Sequence, residues 1–118
     1  NDLSFASTGV TQSFSIKNNI SVITGFFKSP DKHPKKMPDC KLIFIKLLFS
    51  KNSKKLIGGQ ISGGDSVGEL INVISLLIQK EFSIDKILSL QVATHPKLTS
   101  APTVYPITSA CIDAYKKF

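Results

Sequence analysis

The sequence predicts an α+β domain, an antiparallel β-sheet with helices packed on one face. Three observations predict it. Strand-like segments on either side of residues 51–54 are joined by a turn only, so they pair as a hairpin and run antiparallel. Helical periodicity comes late, over 66–81 and again over 105–117. The chain is 118 residues and 42% apolar, enough for one hydrophobic core and no more than one domain, spanning 1–118.

Each element has its own warrant. Leu3 to Thr8 alternates apolar and polar residues and reads as a short strand broken by Gly9. Thr11 caps a short helix running through Lys17, and Asn18-Asn19 closes it. Ile20 to Lys28 is β-branched and aromatic and reads as a second strand. Residues 29–39 hold Pro30, Pro34 and Pro38 and read as an extended loop. Cys40 to Ser50 is a third strand, apolar on both faces over Leu42 to Phe49, which calls for cover on both. Lys55 to Ser62 returns from the turn as a fourth.

Gly63-Gly64 ends the sheet, and Asp65 or Ser66 caps the long helix over 66–81. Its Val67, Leu70, Ile71, Ile74, Leu77 and Ile78 form one core-facing stripe. Ser83 caps a second short helix with Asp85 in its first turn. Leu90 to Ala93 reads as a last short strand. A C-terminal helix over 105–117 starts with Pro106 in its first turn and turns Ile107, Ala110, Cys111, Ala114 and Tyr115 inward.

The net charge of +7 comes from fifteen lysines, with no arginine, against eight acids. Residues 28–55 carry nine of those lysines and two acids, so the other 90 residues are neutral. The plain reading is a solvated, lysine-rich surface. Without the arginine fork, base readout and bidentate phosphate binding are disfavoured, and no nucleic-acid partner is expected. The alternative is a stand-alone module that offers the basic 28–55 edge to an acidic partner or nucleic acid.

No segment reaches the ~20 apolar residues of a membrane helix. The start lacks the basic and apolar regions of a secretory signal. It also lacks an initiator methionine, which points to a domain cut from a longer chain. Cys40 and Cys111 have neither zinc-ligand nor redox spacing, so no metal site or disulfide framework is read, and the compartment expected is the cytoplasm.

Few residues carry candidate chemistry. Gly58-Gly59 and Gly63-Gly64 lack dinucleotide-loop spacing, and Asp65 repels an anion, so they read as a tight turn. His33 lies in the lysine–proline loop. His95, in Thr94-His95-Pro96, follows an apolar segment and is held by the proline beside it. A histidine titrates near neutrality and suits proton transfer, yet no acid lies between Asp85 and Asp113 to orient it. A strand-end histidine with a structural role is the competing reading.

Five segments then fall into one order: Thr8-Gly9-Val10-Thr11-Gln12, Leu56-Ile57-Gly58-Gly59-Gln60-Ile61, Glu69-Leu70-Ile71-Asn72, Phe82-Ser83-Ile84-Asp85 and His95-Pro96. Together they resemble the C-terminal dimerisation (interface) domain of FAD-dependent pyridine nucleotide-disulfide oxidoreductases. The resemblance runs from about residue 3 to the end. It implies a homodimer formed about a two-fold axis. It places FAD and NAD(P)H on upstream domains of the same chain, so that this piece binds no cofactor and is inactive by itself. The parent enzyme would be a disulfide reductase or an NADH oxidase. His95 would reach the partner subunit's flavin site, with Pro96, Pro102, Tyr105 and Pro106 at the dimer interface. In the disulfide-reductase branch a glutamate five residues on holds that histidine, and here the position is Ser100. The proline-bearing stretch 97–106 is closer to the NADH oxidase and coenzyme A disulfide reductase branch, which makes Tyr105 a substrate-binding candidate.

Overall fold

In the computed structural model, the described residues are 4–30, 42–64, 67–90 and 106–118. They form β1 (Ser4–Gly9), α1 (Gln12–Lys17), β2 (Val22–Pro30), β3 (Leu42–Ser50), β4 (Leu56–Gly63), α2 (Val67–Gln79), α3 (Ile84–Leu88) and α4 (Pro106–Tyr115). The four strands make one antiparallel sheet in the order β1-β4-β3-β2. The predicted fold class stands: α2 and α4 pack against the inner face of the sheet, and α3 packs on α4.

The core is what the periodicities select, except that Tyr115, expected inward on the C-terminal helix, is 53% exposed near its frayed end. Ile43, Ile45 and Leu47 point inward from β3 and Ile61 from β4, all almost fully buried. Val67, Leu70, Ile74 and Leu77 meet them from α2, and Ile107, Ala110, Cys111 and Ala114 from α4. Each large side chain so buried contributes about 1.5–3 kcal/mol relative to exposure.

The continuous apolar run of β3 is resolved by alternation plus one irregularity. Leu42 and Phe44 point to the outer face and are partly exposed, while Ile43, Ile45 and Leu47 are buried. Leu47, Leu48 and Phe49 are then all buried, and a register shift between Leu48 and Phe49 leaves Ile57 of β4 as the extra residue. The cover expected on both faces of β3 is therefore complete at one end only. There Val10 and the start of α1 lie over the outer face. A Cβ at Gly58 would collide with the Val10 backbone, and one at the next residue, Gly59, would press into Ile74 of α2 on the opposite face.

Several boundaries shift. β2 begins at Val22 and continues through Ser29 and Pro30, which were expected in the loop. Proline is tolerated there because β2 is an edge strand. Leu90, expected to open a strand, instead closes the turn after α3, its N–H donating to the Ile87 carbonyl at 3.1 Å. The rest of that expected strand, the caps Asp65 and Ser66, Cys40 and the proline loop beyond Pro30 lie outside the described residues. Thr11 and Ser83 cap α1 and α3 as read, accepting from the N–H groups of Phe14 and Lys86.

Helix α2 ends in a Schellman arrangement. The Phe82 N–H donates to Leu77 and the Glu81 N–H to Ile78, with Glu81 in the left-handed region at φ 56°. Glycine is the usual residue at this position, and an L side chain there costs about 1–2 kcal/mol. The exposed ion pair of Glu81 with Lys55, at 2.9 Å, offsets little of that. Glu81→Gly is thus expected to raise stability by roughly 1 kcal/mol. In urea unfolding this appears as a higher midpoint with an unchanged slope.

Candidate functional site

Two surfaces of the domain carry features that packing within the chain does not use up. The first is the outer face of the sheet. Register places Phe5, Ser62, Phe44 and Lys28 in one row across all four strands, and Ser7, Gln60, Lys46 and Phe26 in the next. Phe5, Phe26 and Phe44 are 71%, 49% and 37% exposed. They line one open depression of 210 Å³ with Lys46, Gln60 and Ser62. The Phe26 and Phe44 rings lie 6.1 Å apart, and the Lys28 ammonium sits 5.2 Å from the centre of the Phe44 ring. The Lys46 ammonium donates to the Gln12 side-chain oxygen, tying α1 to this face. A third row, at Leu48 and Gly58, is closed over by Val10.

The second surface is the free edge of β2 with α4. Gly25 lets α4 approach closely, since a Cβ there would collide with the Ala110 carbonyl. That approach brings Asp113 and Lys117 to the strand's outward backbone. The Phe26 N–H donates to Asp113 Oδ2 at 2.8 Å, and Lys117 Nζ donates to the Thr24 carbonyl at 2.8 Å. The two side chains also pair with each other at 3.2 Å. The Phe26 N–H, helped by Lys117, holds the Asp113 carboxyl below its usual range. Phe27, Ser109, Ile112 and Lys116 flank this seam.

The residues singled out for chemistry are mostly not in view. His33, His95, Pro96, Pro102 and Tyr105 lie outside the described residues. Pro106 is described, and it is buried at the first position of α4. Cys111 is buried in the core, and burial pushes its thiol up to about 12, so it offers no thiolate near neutrality. The glycine pairs do not cradle phosphate. The space beside Gly58 is taken by Val10, beside Gly59 by Ile74, and beside Gly63 by Leu42 and Ile43. These residues therefore do not fit a dinucleotide. The basic segment is also split. Lys28 and Lys46 face outward from the sheet, whereas Lys51, Lys54 and Lys55 belong to the far turn, with Lys54 stacked over Phe118 and Lys55 paired with Glu81.

The sequence reading did not pick out Phe5, Phe26 and Phe44. A signal was present, because a Phe26-Phe27 pair in a strand must send one ring to each face.

The sequence model of one family, described as pyridine nucleotide-disulphide oxidoreductase, dimerisation domain, matches residues 1–105. The chain belongs to this family. A NADH oxidase of Methanocaldococcus jannaschii is 29% identical over 116 residues, which is 98% of this chain and 25% of that protein. A dihydrolipoyl dehydrogenase of Buchnera aphidicola is 31% identical over 85% of this chain and 21% of its own length. This dimerisation domain thus spans about a quarter or less of the curated relatives it matches. Among solved structures, a NAD-dependent persulfide reductase from A. fulgidus superposes with a TM-score of 0.86 at 29% identity, over 98% of this chain and 21% of that one. Reduced CoADR-RHD of Bacillus anthracis gives 0.84 at 25% identity, over 98% and 20%. Membership gives the domain a dimerisation role within an oxidoreductase family. No helix among the described residues is long and apolar enough to cross a membrane.

The seam between α4 and β2 makes a pH prediction. A carboxyl whose pKa is depressed by folding adds stability above its unfolded value, about 3.9, and loses it as pH falls through the lower folded value. Asp113→Ala is expected to cost about 1 kcal/mol at neutral pH. The gap between wild-type and variant unfolding midpoints is still open at about pH 4, narrows as pH falls further, and closes once the folded carboxyl is itself protonated. A constant gap across that range would assign the loss to packing.

Proposed function

We propose that this chain is the C-terminal dimerisation domain of a larger FAD-dependent NAD(P)H oxidoreductase of the disulfide reductase or NADH oxidase type, working in the cytoplasm. It joins two subunits into a homodimer. FAD and the nicotinamide belong to upstream domains of the same chain, and the 118-residue piece by itself is inactive. The observation that carries this reading is the family match over residues 1–105, joined to relatives about four times as long. The filled glycine positions support it, because they leave the nucleotides to other domains.

His95 reaches the partner subunit's flavin site and moves a proton there. Support comes from the family match, which runs through His95-Pro96, and from the chemistry of imidazole. Ser100 stands where a glutamate would hold the ring, so the orienting group comes from another part of the dimer. Tyr105 lies close by in sequence and binds substrate on the same reading, with Pro96, Pro102 and Pro106 shaping the interface.

The deciding test reads the coding sequence before Asn1 and weighs the protein in solution. A dinucleotide loop and a pair of cysteines with four residues between them are expected upstream, with a dimer by sedimentation. A monomer at high micromolar concentration refutes the dimer. For the flavin-site role, His95→Gln in the full-length enzyme is expected to lower kcat by about 10²-fold or more and to flatten its neutral pH limb. Unchanged turnover and profile, in an intact dimer, would remove His95 from the chemistry.

A further inference from the structure

The β2 edge is closed by two side chains rather than by a strand. We propose that Asp113 and Lys117 guard this edge against strand pairing, and that without them it adds the β1 edge of a second copy of this chain. This latent contact is separate from any two-fold contact between subunits and does not depend on the multidomain reading.

The guard fits because two spacings agree. Backbone groups on one side of a strand recur every second residue, about 6.6 Å apart. Side chains four apart on a helix stand about 6 Å apart along its axis. Asp113 of α4 and Lys117, in the turn that continues it, therefore reach Phe26 and Thr24, two residues apart on β2. The signs agree too. The carboxylate accepts from the Phe26 N–H, and the ammonium donates to the Thr24 carbonyl, both at 2.8 Å. Such charge-assisted bonds are about twice as strong as neutral ones. The Asp113–Lys117 pair, at 3.2 Å, keeps both heads over the edge, although an exposed ion pair adds little stability of its own. Its larger effect is to occupy a donor and an acceptor that an incoming strand would need.

The complementary edge is already on the molecule. β1 and β2 are the two outer strands of the described sheet. α4 lies over β2, where a Cβ at Gly25 would meet Ala110 and Ala114. A two-fold β2–β2 contact would set two α4 helices about 5 Å apart, against the 8–10 Å that packed helices need. α2 is set back over β1 and β4 together, which leaves α4 room beside it in a β2–β1 contact. That contact is head-to-tail, so it does not close on itself and grows into open chains.

The test reverses the pair, Asp113→Lys with Lys117→Asp, in the full-length protein. Net charge and the ion pair are kept, but each head now faces the backbone group it cannot bond. Hydrogen exchange over 22–30, read by peptide mass in dilute solution, is expected to quicken about tenfold. Sedimentation at rising concentration is expected to show open-ended growth beyond the wild-type state. Adding Thr24→Pro removes an outward N–H of β2, which an edge strand tolerates, and is expected to abolish that growth. Faster exchange without growth overturns the proposal, as does growth that Thr24→Pro leaves intact. Growth that stops at one added copy overturns the β1 pairing, and unchanged exchange over 22–30 removes the guard itself. If the reversed pair unfolds the domain, Asp113→Asn, which keeps the side chain's shape, is read by the same measurements, with smaller effects expected in the same direction.

Discussion

A four-stranded sheet has two faces, and the helices that follow β4 cover only one. Most features of this domain answer to that constraint. The inner face takes the branched side chains of β3 and the stripes of α2 and α4. On the outer face, cover from the described residues stops after the row of Leu48 and Gly58, where Val10 lies close against β4. Beyond that row the alternation of β3 continues, and Phe44 and Leu42 are left in solvent contact. The described residues thus leave apolar surface unburied, and surface of this kind marks contacts with other bodies.

The sheet's edges are managed by the same helices. β2 is an edge strand, and a bare edge invites pairing with another chain. Here Asp113 and Lys117 occupy the outward N–H of Phe26 and carbonyl of Thr24, so α4 acts as a side-chain strand. That substitution needs the close approach allowed at Gly25. Packing, edge protection and the depressed Asp113 carboxyl are therefore one arrangement.

How much of this was legible in the sequence varied with the range of the cause. Local signals read well. Thr11 and Ser83 cap helices because a hydroxyl before a helical run meets free N–H groups. The α2 stripe at 67, 70, 74 and 77 is buried because period fixes face. Causes that depend on a distant neighbour did not read. The bulge at Leu48 and Phe49 follows from pairing between β3 and β4, so the run looked evenly two-faced. The glycines at 58 and 59 looked like a turn or a loop, yet each makes room for a different element on an opposite face. Glu81 in a left-handed position has no sequence signature, since glycine would be the usual marker. Of the site, only Pro106 can be placed, and its burial at the head of α4 agrees with a helix start.

The charge that stood out in the composition means something different once folded. Residues 28–55 carry the whole excess, but the antiparallel path sends them to opposite ends of the sheet. Lys54 and Lys55 are engaged at the far turn with Phe118 and Glu81, while Lys28 and Lys46 stand among the aromatic rings of the outer face. A continuous basic track of the kind that follows a phosphate backbone is not what these described lysines form. Their long stems cover apolar surface and their ammonium groups reach water or a carboxylate beyond it. The same segregation leaves the four strands free of acid and places the described acids with the helices.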